Sequence, residues 1–207
     1  MITLYTAATP NGQKAAIMLH EADLPHTVRA IDLGKGEQHV PEFVALSPNH
    51  KIPVIVDSDT GQVIFESGAI LIYLADKSGL FLAADPAKRS VALQWLFMQV
   101  GHVGPMLGQL WWFRHGTKEP NAQALERYTR ETIRLYGVIE RRLGEARFIA
   151  GEEYSIADIA MFPWLRTHEE LGIEIDTYPH LKAWLEQIGS RPAVVQGLRV
   201  PEPAHCA

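Results

Sequence analysis

The sequence predicts an α/β domain over residues 1–83 followed by an all-α domain over residues 84–207. Two observations predict this class. In the first part the apolar pattern alternates between strands and helices, in the order strand–helix–strand and then hairpin–helix. In the second part only helical periodicity is present. The first order is typical of a small α/β domain with a mixed sheet.

The opening strand–helix–strand unit is read from three segments. Residues 2–5 form a short apolar strand, and residues 13–22 form a helix rich in Ala, Leu and Met. Val and Ile spacing predicts the second strand over residues 27–33. The first domain therefore begins with two strands that a helix connects.

The first domain ends with a predicted hairpin and helix. Residues 53–57 and 63–65 are apolar runs that flank a turn-rich segment, which indicates a hairpin. Ser67 is then expected to cap a helix that ends at Gly79. This completes the α/β domain.

The second domain starts at Asp85 and Pro86, a capping residue followed by proline at the first helical position. Glycines and a proline at residues 101–105 are expected to interrupt this first helix. The helix over residues 155–165 is apolar nearly all round and should be central and buried. The tail from Pro192 is expected to lie loosely on the surface.

Composition excludes several classes of protein. The 207 residues carry a net charge of -5, whereas a nucleic-acid binder usually has a basic face. The sequence has no apolar run long enough for a membrane span and no secretory signal pattern at its start. Its single cysteine, Cys206, cannot form an internal disulfide and fits a reducing compartment. We therefore expect a cytoplasmic protein with no nucleic-acid or membrane partner.

Most common catalytic machinery is also missing from the sequence. The nine histidines lack metal-ligand spacing and have no neighbouring thiol, so no metal site is expected. Phosphate-binding loops, dinucleotide fingerprints and serine nucleophile elbows are not found. Because the one cysteine of the sequence is Cys206, far from the first helix in the chain, a reactive thiol at that helix would have to come with a ligand.

Three motifs in both domains point to one family. Residues 155–158, Ser-Ile-Ala-Asp, form a capping box at the start of the buried helix. Residues 51–54, Lys-Ile-Pro-Val, and residues 66–70, Glu-Ser-Gly-Ala-Ile, lie upstream in the α/β domain. With these motifs in this order and spacing, the chain resembles the cytosolic glutathione transferase family from residue 1 to about residue 192.

Within that family the chain looks most like the bacterial Nu-type members. It shares with them the segments at residues 9–11, 32–36 and 93–97. The resemblance implies a thioredoxin-like domain plus a helical domain, a homodimer, and glutathione as co-substrate. Members of this group resemble disulfide reductases more than conjugating transferases.

The resemblance gives Thr9 and Asn11 a catalytic role at the start of the first helix. Helix-start amides and the helix dipole favour an anion, and a hydroxyl and an amide aimed at sulfur would bind the thiolate more tightly than the thiol. Lowering a thiol pKa from about 8.5 by roughly two units requires about 2.7 kcal/mol. The alternative is that both residues only cap the helix, and the two roles are compatible.

The resemblance also implies contacts along the ligand. Ile52 and Pro53 would form a cis-proline corner whose backbone pairs with the cysteinyl part, unless the proline is trans and starts an edge strand. Glu66 and Ser67 would receive the γ-glutamyl ammonium and α-carboxylate, unless they are a plain helix cap.

The glycyl end and the second substrate have further candidates. Gln38 and Lys51 would reach the glycyl end, and Arg127 matches an arginine that related proteins offer to the ligand; each could instead be a solvated surface residue. Residues 111–113 are three adjacent aromatic residues, which cannot all face one core. Their segment could line an apolar pocket beside the sulfur, or it could form core and dimer contacts. The second-substrate candidates are Gln109, Trp111, Trp112 and Phe113.

The sequence leaves two functions open. The first is a glutathione-dependent disulfide-bond reductase, with possible transferase activity, that activates bound glutathione without a protein cysteine. The second is a non-catalytic relative that binds ligands or other proteins. The presence of Thr9, Asn11 and Gln38 beside Glu66 and Ser67 favours the enzyme.

Overall fold

The computed structural model describes residues 1–202 and divides into two compact units. One unit contains residues 1–80 together with residues 190–202, and the other contains residues 81–189. The division therefore lies three residues before the boundary expected from sequence. It also differs in assigning the C-terminal segment to the first unit.

A four-stranded mixed sheet forms the centre of the first unit. In the order β2-β1-β3-β4, strand β1 pairs in parallel with β2 and antiparallel with β3, and β3 pairs antiparallel with β4. The mixed sheet expected from sequence is confirmed. The strands are β1 (Ile2–Thr6), β2 (His26–Ala30), β3 (Val54–Asp57) and β4 (Gln62–Phe65).

Strand β2 is shorter than the sequence predicts. It ends at Ala30, whereas the apolar pattern suggested residue 33. The Ile31 amide still donates a 2.8 Å hydrogen bond to the Thr6 carbonyl, but β1 itself ends at Thr6, so residues 32 and 33 have no neighbouring strand to pair with.

Four α-helices of the described residues belong to the first unit. Helix α1 begins at Pro10, three residues before the predicted start, because Thr9 caps it and proline is favoured in the first turn. Its residues 15–19 are buried, and it packs against α3 and α9. The helices are α1 (Pro10–Glu21), α2 (Pro41–Val44), α3 (Ser67–Ser78) and α9 (Pro192–Gly197).

The C-terminal segment is not the loose tail that the sequence suggested, as far as the structure describes it. Val194 is fully buried, and a Cβ at Gly197 would lie 2.6 Å from the Cα of Ile17, so α9 packs directly on α1. Arg191 donates two hydrogen bonds of 2.6 and 2.8 Å to the buried carboxylate of Glu21. Cys206 and the other residues after 202 lie outside the described part.

The second unit is helical throughout its regular structure. The predicted interruption at residues 101–105 is a π-helical turn (Gln99–Val103) through which α4 continues into α5, and not a break. The α-helices are α4 (Pro86–Met98), α5 (Gly104–Trp111), α6 (Ala122–Glu145), α7 (Ile156–Leu165) and α8 (Pro179–Gly189). None of the helices in residues 1–202 is long and apolar enough to span a membrane.

Helix α7 is buried along nearly its whole length, as predicted, and begins with a complete capping box. Asp158 accepts hydrogen bonds from the Ser155 amide at 3.0 Å, the Ile149 amide at 2.9 Å and the Trp184 indole at 3.0 Å. Burial raises the pKa of Asp158 to about 6, although these bonds act in the opposite direction. The carboxyl group thus joins three segments of the unit.

Candidate functional site

One end of the sheet collects the candidate residues of the first unit. The pairing of Thr6 with Ala30 and of Tyr5 with Val54 places the ends of β1 and β2 beside the start of β3. Phe65, at the end of β4, pairs with Val54 as well. The segments that follow β1, β2 and β4, and the one that precedes β3, therefore leave the sheet at the same edge. These segments contain Thr9, Asn11, Gln38, Lys51, Ile52, Pro53, Glu66 and Ser67.

Thr9 is the N-cap of α1. Its side-chain oxygen accepts a 3.2 Å hydrogen bond from the Gly12 amide. Thr9 therefore caps the helix, which was one of the two roles expected from the sequence. A hydroxyl can accept and donate at the same time. Within residues 1–202 no acceptor takes the Thr9 hydroxyl proton, which leaves it available to a ligand.

Gly12 keeps the start of α1 close to β1. A Cβ at this position would overlap the carbonyl oxygen of Ala7 and the hydroxyl of Thr6, so another residue would displace the helix. Asn11 lies half-buried in the same first turn of α1. The close packing fixes where the hydroxyl of Thr9 and the amide of Asn11 are presented.

The Ile52–Pro53 peptide bond is cis, as the resemblance implied. Within the described residues, neither the N–H nor the C=O of Ile52 bonds to another group of the protein. Ser47, which is 1% exposed, holds the preceding residue by donating a 2.8 Å hydrogen bond to the Lys51 carbonyl. The corner thus presents one unpaired donor and one unpaired acceptor on a fixed backbone, while the Lys51 side chain is exposed.

Ser67 is not the N-cap of α3, contrary to the sequence prediction. Glu66 occupies the cap position with a left-handed φ of 68°, and no side chain caps this helix end. The Ser67 hydroxyl instead accepts a 3.2 Å hydrogen bond from the Nζ of Lys14. The first amides of α3 therefore remain available to an anion.

Lys14 is 1% exposed although it carries an ammonium group. Burial lowers the pKa of Lys14 to about 7, and the charge of Glu66 acts in the opposite direction. Its position beneath the start of α3 brings a positive charge to the same edge of the sheet.

Gln38 and two histidines form a chain of hydrogen bonds. The Nδ1 atoms of His39 and His50 lie 3.2 Å apart, and the Gln38 Nε2 lies 3.2 Å from the His39 Nε2. The Gln38 Oε1 is buried without a hydrogen-bond partner among the described residues. An unpaired oxygen of this kind is available to a donor from a ligand.

The second-unit candidates differ in their exposure and in their contacts. Trp111 and Trp112 are 41% and 53% exposed, and the Trp111 indole donates a 2.9 Å hydrogen bond to Glu170. Phe113 stacks on Tyr128 of α6 and lines a cleft of about 470 Å³. The expectation that at least one of these aromatic residues is exposed is confirmed. Gln109 and Arg127 are both exposed.

Comparison with known proteins identifies the family. Residues 8–77 match the glutathione S-transferase N-terminal domain, and residues 93–192 match the glutathione S-transferase C-terminal domain. The chain is 50% identical over 203 residues to the disulfide-bond oxidoreductase YfcG of Escherichia coli, covering 96% of this chain and 94% of the relative. The protein belongs to the glutathione S-transferase family.

Two solved structures of glutathione transferases are similar over the whole fold. A family member from Pseudomonas fluorescens with two glutathione molecules bound has 45% identity and a TM-score of 0.90, covering 97% of this chain and 93% of its own. A glutathione transferase from Pseudomonas putida with one glutathione disulfide bound per subunit has 42% identity and a TM-score of 0.90, covering 97% and 91%. The thioredoxin-like domain and helical domain expected from sequence are those of the glutathione transferase fold.

Sequence reasoning did not single out three residues that lie beside the candidates at this edge of the sheet. Lys14 directly precedes the apolar run of residues 15–19 in α1, which carries no signal of burial, because lysines are mostly found on the surface. Ser47 and His50 had no signal of their own, since their contacts arise from the loop before the cis proline. Among residues 1–202, no cluster of three or more His, Cys, Asp or Glu side chains could hold a metal ion.

Proposed function

We propose that this glutathione transferase is a glutathione-dependent disulfide-bond reductase. The similarity to a disulfide-bond oxidoreductase and to structures with glutathione or glutathione disulfide bound supports this proposal. The observation that carries it in this chain is Thr9, whose oxygen is bonded to Gly12 and whose hydroxyl proton is left for a ligand sulfur.

Glutathione would bind along the shared edge of the sheet. Its cysteinyl backbone would pair with the N–H and C=O of Ile52 beside the cis Pro53. Its γ-glutamyl group would place the α-carboxylate at Ser67 and the ammonium near Glu66. Its glycyl end would extend toward Gln38 and Lys51.

The reaction needs no protein cysteine. Thr9, with Asn11, would donate hydrogen bonds to the sulfur and hold it as the thiolate. The thiolate attacks one sulfur of a disulfide, forming a mixed disulfide and releasing the other sulfur as a thiolate that takes up a proton. A second glutathione thiolate then attacks the glutathione sulfur of the mixed disulfide, which yields glutathione disulfide and the second reduced thiol. The same activated thiolate could add to an electrophilic carbon, which would be transferase activity.

The second unit contributes candidates for the rest of the site. We infer that Arg127 binds the glutathione and that Gln109, Trp111, Trp112 and Phe113 form the second-substrate region. The exposed indole faces of Trp111 and Trp112 support this, since exposed large aromatic residues mark binding surfaces. We also assign the chain to the Nu-type group and to the cytoplasm.

A homodimer completes the proposal. Val63 and Phe65 on the edge strand β4 are 44% and 40% exposed, and exposed apolar residues on an edge strand favour pairing with another chain. Light scattering coupled to size-exclusion chromatography should give twice the mass of one chain. A monomer at all concentrations would contradict this part alone.

The proposed activity is tested by glutathione-coupled reduction of 2-hydroxyethyl disulfide. We expect turnover that depends on both substrates and forms glutathione disulfide in equal amount to the disulfide consumed. Binding of glutathione without any turnover would contradict the reductase and favour a non-catalytic member of the family.

A further inference from the structure

The ammonium of Lys14 is buried beside the start of α3. An uncharged side chain of similar length, such as methionine, would fill the same space without the cost of burying a charge. The ammonium is nonetheless hydrogen-bonded to Ser67, at the uncapped start of α3. The ammonium therefore adds a positive charge to a helix start at which no side chain caps the first amides.

The direction of the hydrogen bond shows what Ser67 can do. An ammonium only donates, so the Ser67 oxygen is the acceptor and its own proton is free to be donated. Within residues 1–202 no acceptor takes that proton. The hydroxyl proton of Ser67 and the first amides of α3 are therefore donors for one anion, with the charge of Lys14 one hydroxyl away.

We propose that Lys14 is a positioning residue for the γ-glutamyl α-carboxylate of glutathione, acting through the Ser67 hydroxyl. This inference rests on the proposed function, since glutathione supplies the carboxylate. Lys14 orients the hydroxyl as a donor and provides the positive charge that the carboxylate neutralises.

The same arrangement couples binding to proton uptake. Burial lowers the Lys14 pKa to about 7, so the group is largely neutral at pH 8, and a bound carboxylate would raise the pKa again. The charge of Glu66 already acts on Lys14. The other charged groups of α3 and of the segment that leads into α9 have partners of their own. Arg191 pairs with Glu21, Lys77 pairs with Asp57 and Asp59, and Asp76 also has a partner.

Isothermal titration with S-methylglutathione tests the inference, because the blocked sulfur removes any proton released by thiol ionisation. Titrations at pH 8 in buffers of different ionisation enthalpy count the protons taken up on binding. For the wild type we expect up to about one proton at pH 8 and much less at pH 6, where Lys14 is already charged.

Two variants separate charge from proton coupling. Lys14→Met should bind S-methylglutathione about tenfold or more weakly, without the proton uptake seen at pH 8. Lys14→Arg should keep the affinity within a few fold and also lose the uptake, because a guanidinium remains protonated. The melting temperature of Lys14→Met should be equal to that of the wild type or higher, since the cost of burying a charge is removed.

The outcomes are distinct. Wild-type affinity and wild-type proton uptake in Lys14→Met would overturn the role of Lys14 and leave the proposed function intact. A lower melting temperature of Lys14→Met with unchanged affinity would assign the lysine to folding and would also overturn the inference. A wild type that does not bind S-methylglutathione would overturn the proposed function itself.

Discussion

Three hydroxyl groups at helix starts differ in what their protons do. Ser155 at the start of α7 accepts a hydrogen bond from a backbone amide and donates one to Asp158, and both residues are buried. Thr9 and Ser67, at the starts of α1 and α3, each accept one hydrogen bond, and neither donates to another group of the described residues.

The difference separates folding from binding. A polar group whose donors and acceptors are all paired within the protein stabilises the fold and has nothing left for a ligand. A hydroxyl with an unused proton is held in place by the fold and can still bind an anion. The first type occurs in the core of the second unit, and the second type occurs twice at one edge of the sheet in the first unit.

The largest expected effect is on the fully paired site. Asp158→Ala leaves two backbone amides and the Trp184 indole unpaired in the core, so we expect a loss of about 3 kcal/mol in the free energy of unfolding. Urea denaturation measures it. The affinity for glutathione, determined at a temperature where the variant is folded, should stay within about twofold of the wild type. A large loss of affinity in the folded variant would break the distinction between the two kinds of site.

Thr9→Ala tests the open hydroxyl. Losing about 2.7 kcal/mol of thiolate stabilisation should raise the pKa of the bound thiol and lower reductase kcat/KM roughly 100-fold at neutral pH. The ultraviolet absorbance of the thiolate as a function of pH measures that pKa.

Two further variants at Thr9 separate thiolate activation from helix capping. Thr9→Ser keeps the hydroxyl and should keep most of the activity. Thr9→Asp can still cap α1 but places a negative charge beside the sulfur, so it should be stable and inactive. Full activity in Thr9→Ala would show that sulfur activation lies elsewhere.

Acid should lower the free energy of unfolding through Asp57, a second carboxylate whose oxygens are paired within the protein. Burial by itself raises the pKa of Asp57, but hydrogen bonds from Lys77 and Tyr73 outweigh it and lower the pKa to about 2. The folded state therefore binds this proton less tightly than the unfolded state, and the stabilisation is present above about pH 4 and is lost as the pH falls toward 2. We expect a loss of about 2 kcal/mol over this range by denaturation at each pH. Asp57→Asn should lack this part of the pH dependence.

The smallest effect is expected for Lys51, whose side chain is exposed. An exposed ion pair with the glycyl carboxylate contributes about 0.5 kcal/mol, so Lys51→Ala should weaken glutathione binding about twofold. Affinity for γ-glutamylcysteine, which lacks the glycine, should not change. An equal loss for both ligands would place Lys51 away from the glycyl end.

The parts of the site that the sequence predicted are those with local signals. Thr9 follows a strand and precedes a helix, and Pro53 opens a strand, so both were visible in the order of residues. Lys14 was not, because its burial results from the packing of α1 against α3 and not from its neighbours in sequence. Helix α9 was missed for a similar reason: its short apolar stretch is held as a helix by contact with α1.

Helix α9 has a consequence for biosynthesis. The first unit is discontinuous in sequence, since the helix that packs on α1 follows residues 81–189 in the chain. During synthesis on the ribosome, α1 cannot pack against α9 until the whole second unit has been translated. The sheet edge that presents Thr9 therefore reaches its final support late in synthesis, and a nascent chain halted before residue 190 would display α1 with one side uncovered.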